Sequence, residues 1–468
     1  MAHTLAAVPG KRRLREARGP GVPGPYRQSK LCRKKISKDP ARVTTRTQPG
    51  GMLAKTEPER RKNMRKLVLL LATALALTAC TAAPEVSSPA ETAPPVETTA
   101  IGEAAAAFPV GTLQMAIPEV MDTGAASVEI PFSGLEAEPI LKLDYAAGVQ
   151  TKLCDIDLSR QIPVAIMQHG DTVEYFWDSE GGTVFAHTAI RPDGSVEEQT
   201  VPRKFYPNLY DEYAAYDIWG TACTRLDWQT GELTTASLPF VQMDSVLGAV
   251  GSRVLLTRIV SDTPLPQGEG NEEMRDAVLQ NSLREYDFYD PATNTIEKVF
   301  DEPYYPEERN ERKGYLGYCG DKLYFGVSCT DGASALSRKN TLVSYDRTAG
   351  TWQEECSAEG EDVCGFWPFS LDGQLKLVVL WRTKDTLTLY SIDNGARYEV
   401  PYEEAQSSGA DATGNKNFPV ALTEDGRILV TDGYIDRSGV AASRYALIDL
   451  GAYLAGSREY TAVEMWTE

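Results

Sequence analysis

Leu226-Asp227-Trp228-Gln229-Thr230-Gly231, Tyr289-Asp290-Pro291-Ala292-Thr293-Asn294 and Tyr345-Asp346-Arg347-Thr348-Ala349-Gly350 are three copies of one device. An apolar residue ends a strand, an aspartate follows, and four residues later comes a glycine or asparagine. The aspartate caps the turn through neighbouring backbone N–H groups, and Gly or Asn supplies the positive φ that the turn requires. Shorter members are Leu143-Asp144, Ile392-Asp393-Asn394-Gly395 and Ile448-Asp449-Leu450-Gly451, with Arg191-Pro192-Asp193-Gly194 as a further candidate. From Asp227 onward the aspartates recur at spacings of 63, 56, 47 and 56 residues. Between them stands a second kind of turn, flanked by alternating apolar runs: His169-Gly170-Asp171-Thr172, Gly251-Ser252, Gly320-Asp321, Asp372-Gly373 and Asp425-Gly426.

Two hairpins per unit make a four-stranded antiparallel sheet, and such units in series, each of roughly 40 to 60 residues, form an all-β propeller. Leu226-Asp227-x-x-Thr230-Gly231 resembles the repeats of quinoprotein-type propellers, and Tyr289-Asp290-Pro291-x-Thr293-Asn294 resembles kelch repeats. The resemblance implies the fold over residues 108–468 and no activity, since each motif marks a blade turn. We expect seven blades. Six or eight are the alternatives, because the unit at 210–240 is short and the N-terminal unit is faint. A pair of β-sandwich domains would explain the strands but not the recurring turn.

Upstream, residues 64–80, MRKLVLLLATALALTAC, read as an export signal. Arg65 and Lys66 precede an apolar run at 67–77, shorter than the ~20 residues needed to span a bilayer. Leu77-Thr78-Ala79-Cys80 resembles the lipobox of bacterial lipoproteins. That resemblance implies a mature chain beginning at Cys80 and held to the membrane by at least two acyl chains, enough for stable anchoring. Residues 1–63 carry 17 basic and 4 acidic side chains and are expected to be translated upstream sequence. Arg60-Arg61 suits an AGG-AGG ribosome-binding site ahead of Met64. The alternatives are a start at Met52 or a disordered basic arm. Residues 81–107, rich in Pro, Thr, Ala and Glu, read as a disordered tether reaching about 30 Å as a coil and ~80 Å when extended.

The first 80 residues hold 19 of the 47 basic side chains but only 4 of the 66 acidic ones. This leaves 28 against 62 in the remainder, a net charge near −34. Such a field repels nucleic acid and anionic bilayers, so neither is an expected partner apart from the lipid anchor. Beyond Cys80 the cysteines are Cys154, Cys223, Cys319, Cys329, Cys356 and Cys364. Cys356 and Cys364 flank a loop and are the expected disulfide, whereas Cys319 and Cys329 should stand at opposite ends of one hairpin. Only His169 and His187 follow the anchor. With no Cys/His cluster of zinc spacing, no metal and no cofactor is expected.

Connections inside hairpins are short. Those between hairpins and units are long: 261–284, 301–312, 330–340, 401–417 and 431–444. Alternating strand direction puts the long connections on one face, which is where binding is expected. Residues 271–283 have helical spacing, with a mobile acidic insertion as the alternative. Aromatic and charged residues mingle on these loops, and Trp177, Glu180, Tyr304, Tyr305, Arg312, Arg338, Asp436 and Arg437 are the candidate ligand contacts. The stretch 205–219, FYPNLYDEYAAYDIW, is likewise aromatic-rich. No catalytic residue stands out: GxSxG, HExxH, Walker and calcium-loop patterns are all missing. Ser344-Tyr345-Asp346 with Gly350-Thr351-Trp352 is similar to the Asp-box of sialidases at a different spacing, and that box is itself a structural turn. The expectation is an extracytoplasmic lipoprotein whose propeller binds a glycan or peptide without chemistry. The alternatives are a glycan hydrolase or lyase on the same scaffold, and a scaffold that docks other envelope proteins.

Overall fold

The structure, a computed structural model, describes residues 108–467 apart from 132–136, 180–181, 241–242, 267, 269, 306–310, 331–336, 361–364, 406–413 and 438–439. The expected upstream segment, signal, Cys80 and tether lie outside the described residues.

The described residues form seven four-stranded antiparallel sheets in a ring. Blades 1 to 7 occupy residues 120–157, 161–201, 209–237, 243–303, 311–359, 367–401 and 416–462. The turn aspartates behave as the sequence requires. The Asp227 carboxylate accepts from the N–H groups of Gln229 (3.0 Å) and Thr230 (2.9 Å), Asp346 from Thr348 and Ala349 (2.9 Å each), and Asp290 from Ala292 (2.8 Å). Gly231, Gly350 and Asn294 take the positive φ.

Alternation along each strand explains where the core sits. In Thr172–Ser179 of blade 2, Val173, Tyr175 and Trp177 point to blade 1, while Glu174, Phe176 and Asp178 face blade 3. Every blade thus buries both faces, and the core is divided among seven seams, each holding one cluster of apolar side chains from two adjacent blades.

Blade 3 is the short unit: its innermost strand, Leu209–Tyr210, has two residues. Gln114–Met115 pairs with it from the inside and makes that sheet five-stranded. This N-terminal segment runs along the ring's axis. Gly111 N–H donates to Asp211 of blade 3 (2.8 Å), Leu113 N–H to the Gly251 carbonyl of blade 4 (2.9 Å), and the Ile117 carbonyl accepts from Ile166 of blade 2 (2.9 Å). Thr112 meanwhile lies beside the Gly373 turn of blade 6.

Among the described residues no strand is exchanged between blades 7 and 1. The seam is closed instead by its apolar cluster, which includes Val463, and by Glu464, whose backbone bonds to Gly148 and Gln150 (2.8 Å each). Arg427 adds a bond to the Tyr145 carbonyl (2.6 Å) and the Tyr445 hydroxyl one to Glu129 (3.1 Å).

Candidate functional site

The turns between the first and second and between the third and fourth strands of each blade leave one face of the ring, the turn face, and the remaining connections, the tight turn at 220–221 among them, leave the other, the loop face. The expected loop at 431–444 is largely absent: strands Arg427–Arg437 and Val440–Asp449 run through it as a long hairpin. The connection at 261–282 does carry a helix, Glu272–Leu279, with Leu279 alone buried. The Tyr305 hydroxyl reaches Asp276 on that helix (3.3 Å).

Twelve large apolar side chains are exposed among the described residues, and eight of them stand on the loop face of three consecutive blades. Ile162, Val184, Tyr206 and Trp219 belong to blades 2 and 3. Val260, Met274, Leu283 and Tyr305 belong to blade 4. Val260 and Leu283 are direct cross-strand partners. An apolar concentration of this kind marks an interaction surface.

Two polar groups punctuate the crescent. At the mouth of the seam between blades 2 and 3, Asp178, next to last in strand Thr172–Ser179, faces blade 3, while Asp217 of strand Ala214–Trp219 faces blade 2. Tyr206 sits between them: its hydroxyl donates to Asp178 Oδ2 and its backbone N–H to Asp217 Oδ2, both at 3.0 Å. Burial pushes the Asp217 carboxyl up, against the pull of that N–H, and also raises the Tyr206 hydroxyl, to about 12. Asp178 is 8% exposed, and its Oδ1 has no hydrogen-bond partner among the described residues. A buried acceptor left unmade costs about 1–3 kcal/mol, and more when charged.

On blade 4, Arg258 binds the fully buried Asp287 (2.6 Å) and also pairs with Glu285, which in turn meets Lys298 (3.2 Å). Burial raises the Asp287 carboxyl and Arg258 opposes it. Arg284 pairs with Asp244 (3.3 Å) and lies over the Tyr304 ring (4.5 Å), and Tyr305 packs edge-on against Tyr304.

The residues expected to contact ligand are thus dispersed. Tyr304 and Tyr305 are together, with Arg312 exposed near the start of the next blade, in strand Glu311–Cys319. Trp177 is not on a loop. It is 5% exposed in the seam between blades 1 and 2, and its indole N–H donates to Thr188 (3.1 Å), because the strand extends two residues past it. Glu180 lies outside the described residues, and Arg338, Asp436 and Arg437 are placed only as members of strands Ser337–Asp346 and Arg427–Arg437. The Cys356 thiol is raised by burial, and Cys364 lies outside the described residues. Cys319 and Cys329 do stand at opposite ends of their hairpin, opposite Lys322 and Glu311. Asp178, Asp217 and Ile162 were missed. Tyr206, Asp217 and Trp219 all fall within the aromatic-rich stretch 205–219, which was the signal for them.

Clefts of ≈ 180 and ≈ 260 Å³ open toward the turn face at the seams flanking blade 2. The larger contains both histidines: His187 Nδ1 is 2.8 Å from Glu174 and its ring stacks on Phe176, while His169 stacks on Trp228. Among the described residues no three His, Cys, Asp or Glu side chains are grouped to hold a metal ion.

No family model matches this chain. No curated protein matches it either. Solved structures that resemble it include the oligogalacturonate lyase of Vibrio parahaemolyticus (11% identity, TM-score 0.34, covering 74% of this chain and 100% of that one). A prolyl endopeptidase (11%, 0.38, 76% and 49%) and a putative 6-phosphogluconolactonase from Bacteroides uniformis (12%, 0.34, 60% and 83%) are further cases. At these values the likeness says nothing about activity.

Proposed function

We propose that this chain is a lipid-anchored extracytoplasmic binding module, tethered through acylated Cys80 and residues 81–107, which takes up a peptide or glycan on the loop face of its propeller without transforming it. The observation that carries the reading is the crescent of exposed apolar side chains on blades 2 to 4. The described N-terminal segment agrees with it, entering the ring from the turn face. A second reading, a hydrolase or lyase, has in its favour Asp178 and Asp217 held in different environments around Tyr206. The two clefts named above open toward the opposite face, away from this pair.

Two experiments test the proposal. Metabolic labelling with an alkyne fatty acid should mark the wild-type chain and not Cys80→Ala; equal labelling refutes the anchor. A thermal-shift screen of the mature chain against peptides and glycans should give a rise of about 4 °C at a hundredfold excess over Kd, from ~2.7 kcal/mol of binding linkage and an unfolding entropy of ~2 cal/mol/K per residue. A shift with neither class refutes the binding reading, and turnover of the shifting ligand establishes the enzyme.

A further inference from the structure

We infer that the mouth of the seam between blades 2 and 3 receives a basic side chain, lysine or arginine, from a bound peptide segment. The inference rests on the loop-face reading and names the chemistry of its ligand. Asp178 is a carboxylate more than nine-tenths buried, with one oxygen held by Tyr206 and the other unmatched among the described residues. A second carboxylate, Asp217, faces it across the seam. Neither has an ion pair among the described residues. Arg203 donates to Thr235, and Lys204 lies over the ring of Phe185, the cross-strand partner of Asp178, without forming an ion pair with Asp178 among the described residues. No donor of the described residues meets that oxygen, which leaves it open to one from a ligand. A cation suits the strongly negative body, and a guanidinium or ammonium suits a carboxylate beside an aromatic ring.

The walls decide between a free cation and a side chain of a larger ligand. Ile162 (47% exposed) lies directly opposite Asp178, Tyr206 is 41% exposed, and Trp219 (71%) points to the same side of its strand as Asp217. A metal ion or small ammonium would leave this apolar area in water. The stem of a lysine or arginine and the apolar residues beside it would cover it.

The test uses the mature chain and fluorescein-labelled nine-residue peptides with a central arginine flanked by leucine and tryptophan. Matched peptides carry lysine, citrulline or glutamate at the centre, and binding is read by anisotropy. The arginine peptide should bind roughly 10- to 100-fold more tightly than the citrulline peptide, the span of a charge-assisted hydrogen bond. Asp178→Asn should abolish that difference and leave citrulline binding unchanged. Asp217→Asn should reduce the difference without abolishing it. Glu198→Gln, exposed on the outermost strand of blade 2, should change nothing. Equal binding of the arginine and citrulline peptides, an ineffective Asp178→Asn, or no binding of any peptide at millimolar concentration overturns the inference. If arginine amide alone binds as tightly as the arginine peptide, the occupant is a free cation and the peptide assignment fails. Loss of all binding with Trp219→Ala, together with arginine–citrulline equality, removes the basic anchor but leaves the loop-face reading intact. Loss with Trp352→Ala on the turn face, and not with Trp219→Ala, removes both.

Discussion

Replacing Trp177 separates a ligand contact from a structural residue. Its side chain is 5% exposed, packed among Met121, Ile140, Ile166 and Tyr175 at the seam between blades 1 and 2, with the indole N–H bonded to Thr188. Trp177→Ala removes the largest side chain of that cluster and leaves a cavity at a site held on both sides by sheet, where collapse is limited. The cost of such truncations is about 3–5 kcal/mol. With an unfolding entropy of ~2.1 cal/mol/K per residue over roughly 360 residues, 4 kcal/mol lowers Tm by about 5 °C. Trp177→Phe keeps most of the volume and loses the Thr188 bond, for about 1–2 kcal/mol. Differential scanning calorimetry and urea titration of the mature chain measure both, alongside binding of whichever ligand the screen finds. Wild-type stability in Trp177→Ala, with ligand binding lost, would refute the placement of this residue in the seam.

Asp122 tests an electrostatic claim. Although the residue as a whole is exposed, desolvation of its carboxyl pushes it up to about 6, against the pull of the Gly124 N–H and the Tyr145 hydroxyl. The folded chain then holds this proton more tightly than the unfolded chain, whose carboxyl titrates near 3.8. The group's contribution is most favourable below pH 4 and is lost as pH rises through 6. Asp122→Asn should therefore be more stable than wild type at pH 7 and equal to it below pH 4, with the difference kept small by the exposure of this side chain. A Tm difference that does not vary with pH refutes the assignment. Arg258→Ala leaves the buried Asp287 without its cation and Glu285 with Lys298 alone, and should cost about 3–5 kcal/mol, largely restored by adding Asp287→Asn and Glu285→Gln; denaturant titration of the single and triple variants decides it. Deleting residues 461–468 removes Val463 and the Glu464 backbone bridge and should speed hydrogen exchange at the seam between blades 7 and 1 more than at any other. Uniform acceleration over all seven seams would show that the tail does not close the ring.

The fold was legible because its turns are chemically demanding. An aspartate that must cap and a glycine or asparagine that must take positive φ leave a fixed spacing, and Asp227 to Gly231 and Asp346 to Gly350 kept it. The site was less legible because a propeller strand buries both faces. In a half-exposed sheet, Trp177 beside polar residues would sit at an edge. Here Val173, Tyr175 and Trp177 fill one seam while Glu174, Phe176 and Asp178 fill the next, so neighbours in sequence serve different blades. Asp178 was hidden for the same reason: no local pattern tells a buried carboxylate at a seam mouth from an ordinary strand-ending aspartate. The stretch 205–219 stood out by composition, but the meeting of Tyr206, Asp217 and Trp219 with blade 2 depends on sheets formed by separate hairpins. The aromatic pair at 304–305 was found because it lies on a true loop, where neighbours in sequence remain neighbours in space.

The four strands of each blade come from one uninterrupted stretch of chain, with Gln114–Met115 added to blade 3 from a distance, so most pairing is local and six of the seven seams join consecutive stretches. The seventh joins residues about three hundred apart, as in Tyr445 to Glu129 and Arg427 to Tyr145. In time this makes the ring a line that closes last, after its other joints have formed, with the entropy of one very long loop concentrated in a single event. A chain caught before that event is an open arc with two raw apolar ends, one from blade 1 and one from blade 7, each complementary to the other end of a second arc. At high protein concentration two arcs can close on each other before either closes on itself, so the seam that completes the monomer is also its route to a dimer.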